Sequence, residues 1–345
     1  DEENYFFRFK KYEQPLLEYY EKHPDFVMPG NRLTEIKEFV KRGLEDFSIS
    51  RLKSKMSWGV PVPGDAEHVM YVWFDALINY ISTLGWPTNG DSFDRFWGTS
   101  EVPNAIQVAG KDNLRQQTAM WQAMLFSAQL PATKQVFIQG FVMSEGQKMS
   151  KSVGNVVDPY EIVGKYGVDP VRFYLLGAMP SYDDGDFSLA RFEEYYTAHL
   201  VNGVGNLTSR VLTMIEKFSD GKIPGPTKGT PIFDVKSFWS HYGEALRRYD
   251  FFAAIKQINT FVAACDATIT KEQPWVKAKK GEDISGLLYE LVESLRHLGL
   301  SLLFVTPNTA EKILLSLGVD KDMLQSLDKE TQWGKLAEGA IIKKG

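Results

Sequence analysis

The sequence predicts an α/β fold built on a parallel sheet, followed by an all-helical region. Short apolar segments that indicate buried strands alternate with helical segments in the first part of the chain, and this alternation implies a parallel sheet covered on both faces. The predicted strands are residues 68–73, 105–109 and 135–142. After about residue 185 the strand-like segments stop and long amphipathic patterns follow. We therefore expect two domains, residues 1–185 and 186–345.

The predicted helices follow from apolar residues spaced three and four positions apart. In the first domain they are residues 4–22, 32–45, 75–84 and 113–128. In the second domain they are residues 189–218, 234–270, 284–304 and 308–317. Parallel sheets place ligands at the carboxyl ends of their strands. The loops that begin at Trp73, Gly110 and Met143 are therefore where we expect the chemistry.

Composition narrows the class of protein. The 345 residues carry a formal net charge of −5, which argues against indiscriminate binding to nucleic acid but leaves room for a local basic face. The single cysteine, Cys265, rules out an internal disulfide and any multi-cysteine zinc site. No apolar run approaches the roughly 18 residues of a membrane helix. We expect a cytoplasmic protein without membrane contact. Because an amphipathic helix begins almost at once and no Met precedes it, we also expect sequence upstream.

The most specific segment is a lysine-rich loop after the predicted strand 135–142. It contains Lys148, Met149, Ser150, Lys151 and Ser152 between glycines. Lysine is a compact charge on a flexible stem, and positioned cations stabilise the charge that develops on phosphate oxygens during transfer reactions. An isolated pair of lysines most often belongs to a solvated surface loop. The interpretation as a phosphate-binding loop therefore depends on the full sequence of residues 148–152.

This string, with its continuation at residues 154–159, resembles the signature of class I aminoacyl-tRNA synthetases. The resemblance implies the second half of a Rossmann-like catalytic domain followed by an anticodon-binding helix bundle. It implies that Lys148, Met149 and Lys151 bind ATP, which enters with Mg²⁺. Lys148 and Lys151, with the hydroxyls of Ser150 and Ser152, would stabilise the α-phosphate transition state, and Lys151 is expected to have the larger role.

The segment at residues 71–80 resembles the side-chain pocket of methionyl-tRNA synthetases. Trp73, Ala76 and Tyr80 stand at i, i+3 and i+7, on one face of a helix, and Leu77 lies within the same stretch. Aromatic walls suit a thioether, because sulfur makes favourable contacts with aromatic rings. Such spacing by itself is more often plain core, so the surrounding string carries the expectation that L-methionine binds here.

Two further segments extend this resemblance. After the predicted strand 105–109 comes Gly110-Lys111-Asp112, whose acid would contact the adenosine ribose; without the family context, Asp112 is equally a helix N-cap. The next helix carries Gln116-Gln117 where many relatives have Phe-His. We expect Gln117 and Trp121 to line the methionine pocket, with Gln117 in place of the usual histidine.

The helical domain contains residues that resemble the anticodon reader of this family. Asn206 and Arg210 stand at i and i+4, on one helix face. An amide and a guanidinium can read the edges of splayed RNA bases, and the indole of Trp275 would stack on one of them. Separately, each of these residues fits a solvated face or a buried anchor. Together they imply tRNA(Met), including the initiator, as partner.

The resemblance also implies a second signature, His-x-Gly-His, which the five histidines of this chain do not form. We expect that signature, and any zinc-binding connective domain, to lie outside these residues, with no protein-bound metal here. Two alternatives stay open: another class I synthetase, specific for cysteine or leucine, and a non-catalytic tRNA-binding remnant of a synthetase. We expect a monomer.

Overall fold

The computed structural model describes residues 3–88, 90–144, 146–149, 156–226 and 231–343. The chain divides into two compact units, Asp1–Gly140 and Phe141–Gly345. The domain boundary expected between residues 185 and 186 falls within the second unit and stays a prediction.

The first unit contains eight described strands and five α-helices. The strands are β1 Phe6–Phe7, β2 Val27–Met28, β3 Phe47–Ser48, β4 Ser50–Leu52, β5 Pro61–Val62, β6 Asp65–Met70, β7 Ile106–Gly110 and β8 Gln135–Gln139. The α-helices are α1 Glu13–Lys22, α2 Gly30–Lys41, α3 Val72–Ser82, α4 Gly90–Phe96 and α5 Trp121–Ser127. A 3-10 turn at Lys111–Asn113 and a π-helical turn at Gln116–Met120 lead into α5.

The parallel sheet predicted from the sequence is present. Its order is β2-β8-β7, and β7 and β8 pair in parallel from Ile106 opposite Gln135 to Gly110 opposite Gln139. Val136, Phe137 and Ile138 make the centre of β8 almost fully buried. Such an apolar run is typical of a central parallel strand covered on both faces, whereas Ile106 and Val108 leave one side of β7 exposed. The expected α/β fold is confirmed.

The expectation that residues 68–73 form a strand of this sheet is wrong. Strand β6 instead lies between β4 and β5 in an antiparallel sheet, with Met70 opposite Ser50. Val69 is the only buried residue of β6, whereas Glu67 is exposed. A strand with so little buried surface suits a sheet with one solvated side. The third strand of the parallel sheet is β2. Its two residues were not predicted as a strand, because the sequence on either side of them indicates helices.

The second unit begins with a small sheet of order β10-β9-β11, formed by β9 Val142–Ser144, β10 Gln147–Lys148 and β11 Gly185–Phe187. Its helices are α6 Pro159–Tyr166, α7 Val168–Gly177, α8 Leu189–Tyr195, α9 Asn206–Phe218, α10 Val235–Arg247, α11 Phe251–Glu272, α12 Pro274–Lys279, α13 Ser285–Leu302, α14 Pro307–Ser316 and α15 Leu327–Glu330. A π-helical segment, Tyr196–Gly205, joins α8 to α9.

The helical bundle is confirmed in outline. Helix α13 runs through its core with nearly every residue buried, and Gly299 lets α14 approach so closely that an added Cβ would lie 2.9 Å from Leu314. The single helix expected over residues 234–270 is two helices, broken where Tyr249 takes a φ of 58°. Among the described residues no helix is both long and apolar enough to cross a bilayer.

Candidate active site

Helix α3 presents the expected pocket face. Trp73, Ala76 and Tyr80 are exposed along one side of the helix. Leu77 and Ile81, which border this face, are buried and pack in a core cluster that includes Trp121. Leu77 therefore supports the pocket wall from the interior, while the other three side chains are accessible to a ligand.

The π-helical turn brings a second element to this face. The N–H of Trp121 donates to the carbonyl of Gln116, five residues back, and Gln117 lies within this wider turn. From there the Gln117 side-chain amide donates to the Tyr80 hydroxyl at 2.9 Å. π-Helical turns inside helices are frequent at functional sites. The structure thus brings together two residues that the sequence places 37 positions apart.

Trp121 forms the floor beneath this contact. Its ring centroid lies 5.9 Å from that of Tyr80, and it meets Trp97 edge to face, also at 5.9 Å. The indole Nε1 is buried and has no hydrogen-bond partner among the residues that the structure describes. Trp121 also borders an apolar cavity of about 190 Å³ lined by Phe7, Phe74 and nine other residues. No spacing pattern marks Phe7 as a neighbour, and sequence reasoning missed it.

The nucleotide candidates lie at the carboxyl end of β7. Gly110 is the last residue of that strand, and Asp112 lies exposed in the 3-10 turn that follows. A Cβ on Gly110 would come within 2.9 Å of the Asp112 carboxylate, so a larger residue at this position would displace that side chain. The Asn113 side-chain amide donates to the same carboxylate at 3.2 Å. These contacts fix Asp112 where a parallel sheet presents ligand-binding groups.

The lysine-rich loop belongs to the second unit. Lys148 ends β10, which pairs with β9, and its exposed side chain places Nζ 4.3 Å from the ring centre of Phe141. Gly146 has a φ of +75° and donates its N–H to Asp186 at 2.7 Å. Met149, expected to touch ATP, packs partly buried against the cluster around Ile162. Ser150, Lys151 and Ser152 lie outside the described residues.

The anticodon candidates lie on two elements of the second unit. Asn206 is exposed at the start of α9, and the Arg210 guanidinium donates to Asp266 of α11 at 2.6 Å. Burial raises the pKa of Asp266, although the Arg210 charge acts in the opposite direction. Trp275 lies on α12, directly after α11, and is 40% exposed. The structure therefore ties Arg210 to the helix that leads to Trp275.

Known proteins resemble this chain over its whole length. Residues 1–212 match the family model described as tRNA synthetases class I (M). The methionine–tRNA ligase of Caldanaerobacter subterraneus subsp. tengcongensis is 40% identical over 100% of the chain, which covers 54% of that protein. The enzyme of Thermosynechococcus vestitus is 39% identical over 97% of the chain, which covers 66% of it.

Solved structures show the same likeness. Mycobacterium tuberculosis methionyl-tRNA synthetase bound by methionyl-adenylate superposes with a TM-score of 0.90 and 33% identity, over 99% of this chain and 68% of that one. Its free form gives a TM-score of 0.87. The parallel sheet and the helical bundle are thus those of a class I synthetase. The chain belongs to the family of class I tRNA synthetases (M), and it spans about half to two-thirds of the length of the curated relatives named above.

Proposed function

We propose that this chain functions as a methionine–tRNA ligase. Such an enzyme activates L-methionine with ATP and transfers it to tRNA(Met), including the initiator. Support comes from the 40% identity to a methionine–tRNA ligase along the whole chain and from the likeness to a synthetase bound to methionyl-adenylate. In the first step a methionine carboxylate oxygen bonds to the α-phosphorus, and pyrophosphate leaves. In the second step the terminal ribose hydroxyl of tRNA attacks the acyl carbon, and AMP leaves.

The residues of the lysine-rich loop act on the phosphates in this proposal. Lys148 and Lys151 bind the triphosphate and stabilise the charge that grows on the α-phosphate, with Ser150 and Ser152 as further donors. The position of Lys148, an exposed residue at the end of β10, supports this role. Gly110 and Asp112 receive the adenosine. In this proposal Mg²⁺ enters bound to ATP. Among the described residues no three His, Cys, Asp or Glu side chains converge to hold a metal ion.

In this proposal the contact between Gln117 and Tyr80 helps to determine which amino acid the pocket binds. It joins the exposed face of α3 to the buried indole of Trp121, which makes a small aromatic enclosure with one polar edge. Trp73 and Ala76 extend the enclosure along α3. An unbranched thioether fits such a surface because it is apolar, flexible and a weak hydrogen-bond acceptor.

The helical bundle holds the proposed tRNA-binding residues, Asn206, Arg210 and Trp275. The half-exposed indole is available for stacking on a base, and Asp266 holds the Arg210 guanidinium in a set direction. Base recognition of this kind needs rigid polar groups beside an aromatic platform. A cytoplasmic location and a monomeric state complete the proposal, and fractionation and sedimentation test them.

The decisive experiment is ATP–pyrophosphate exchange by the full-length gene product with methionine, leucine or cysteine. We expect exchange with methionine at least a hundredfold above that with the other two amino acids. Preference for leucine or cysteine would assign the chain to another specificity. Absence of exchange with all three, together with retained tRNA binding, would favour a binding protein without ligase activity.

A further inference from the structure

Behind Tyr80 lies a continuous chain of hydrogen bonds between five side chains of the first unit. From the interior outward its members are Gln122, Thr133, Gln107, Gln117 and Tyr80. The four interior members expose 5% or less of their surface. A buried polar chain of this length is stable only when every donor meets an acceptor, so the direction of each bond depends on the next.

One backbone group sets the direction of the whole chain. The N–H of Thr133 donates to Gln122 Oε1 at 3.1 Å, which fixes the orientation of that amide. Gln122 Nε2 then donates to the carbonyl of Gln117 at 2.9 Å and to the Thr133 hydroxyl at 3.0 Å. Since the hydroxyl oxygen already accepts a hydrogen bond, its proton is directed to Gln107 Oε1, 2.7 Å away.

The direction continues to the pocket. Gln107 Nε2 donates to Gln117 Oε1 at 3.1 Å, and Gln117 Nε2 donates to the Tyr80 hydroxyl. Tyr80 is therefore the acceptor in its bond with Gln117, and its own proton points elsewhere. The described part of the chain supplies no acceptor for that proton. Reversing the chain would turn the Tyr80 proton inward, at the cost of leaving the buried Thr133 hydroxyl proton without an acceptor.

We propose that Thr133 is a positioning residue that makes Tyr80 an outward hydrogen-bond donor to the side chain of the bound amino acid. This inference rests on the proposed function, in which that side chain is the thioether of methionine. Sulfur is a weak acceptor, whereas the methylene that replaces it in norleucine accepts nothing. The direction of the chain thereby contributes to the preference for methionine over norleucine.

The test compares the two amino acids in ATP–pyrophosphate exchange by the full-length protein. The variant T133V keeps the shape of the side chain and the backbone N–H but removes the hydroxyl, so both directions of the Gln107 and Gln117 amides become comparable. We expect the ratio of kcat/KM for methionine to that for norleucine to fall about twofold if both directions are equally populated. It would fall about fivefold if the outward bond is lost. The matched variant T133S retains the hydroxyl and is expected to retain the ratio.

Two readouts separate this effect from damage to the fold. A structural role alone would lower kcat/KM for both amino acids equally and leave their ratio unchanged, which would overturn the proposal. An equal fall of the ratio in T133S would also overturn it. T133A removes the same hydroxyl and gives a second measurement if T133V does not fold, as judged by its melting curve. Failure of the unmodified protein to use methionine would refute the proposed function instead.

Discussion

The buried carboxylate of Glu293 accepts two hydrogen bonds from the guanidinium of Arg296, at 2.5 and 2.9 Å. Both side chains lie on α13, and they are 0% and 2% exposed. The same carboxylate accepts the backbone N–H groups of Gly334, Lys335 and Leu336. Through these hydrogen bonds the pair holds the segment after α15 against the core of the second unit.

Replacing Glu293 with glutamine tests how much this buried pair contributes to stability. The change leaves the Arg296 charge buried without its partner, and breaking a buried pair in this way costs about 3–5 kcal/mol. We expect E293Q to lower the free energy of unfolding by that amount in urea titrations. The matched control is E244Q, which breaks the i, i+3 pair with Arg247 on the surface, where both side chains are more than half exposed. That loss should stay below about 1 kcal/mol, and equal losses in the two variants would contradict the buried role.

His297 makes the stability of the same unit depend on pH. Burial, with the adjacent Arg296 charge, lowers its pKa from 6.5 to about 3. Its Nδ1 accepts a hydrogen bond from Trp239, which the protonated ring cannot do. Between about pH 6.5 and 3 the unfolded chain binds a proton that the folded one excludes, so stability is full above pH 6.5 and falls as the pH drops.

The expected loss from His297 reaches about 1.4 kcal/mol per pH unit within that window. Urea titrations at pH 7, 6 and 5 measure it. The variant H297Q cannot be protonated, and the difference between its pH profile and that of the unmodified protein isolates this residue. Parallel profiles would show that His297 contributes nothing to the acid sensitivity.

The two lysines of the loop should matter for activation. We expect K151A to abolish most ATP–pyrophosphate exchange and K148A to lower it about a hundredfold, since removing one group that stabilises developing charge costs about 10²–10³ in rate. The control is K165A, which removes an exposed lysine of the same unit that pairs with Glu193 at 3.4 Å. Unchanged exchange in K151A would refute the assigned role.

Trp275 should act on tRNA and not on activation. Loss of one stacked base costs about 1–3 kcal/mol, so W275A should weaken tRNA binding roughly 5- to 150-fold. Pyrophosphate exchange without tRNA should be nearly unchanged. F304A is the matched control, because Phe304 is another exposed aromatic residue of the second unit, 54% accessible. A Michaelis constant for tRNA that W275A leaves unaltered would count against base stacking.

Elements with a long, regular pattern were predictable from the sequence. Helices α13 and α14 follow the predicted segments within a few residues, because an amphipathic period repeated over several turns is hard to mistake. Strand β2 was missed because two residues carry no period. Strand β6 was assigned to the wrong sheet, since pairing partners are set by tertiary contacts that the local pattern of apolar residues does not contain.

The residues of the candidate site were likewise predictable from the sequence only in part. Tyr80 and Gln117 were predicted to share a pocket because a family resemblance named both segments. Gln107 and Thr133 were not predicted, since single polar residues in or beside apolar strands have no distinctive spacing. Their role follows from which atom of each side chain faces its neighbour, and only the folded structure shows that.

The amide at position 117 has a consequence for the conditions under which the pocket can work. A histidine there would exchange its acceptor for a second donor as it became protonated, close to neutral pH. The amides of Gln117, Gln107 and Gln122 and the hydroxyl of Thr133 do not titrate in that range. The orientation of the Tyr80 hydroxyl therefore does not change when the surroundings become mildly acidic. The preference for methionine over norleucine should be the same in mildly acidic and in neutral solution.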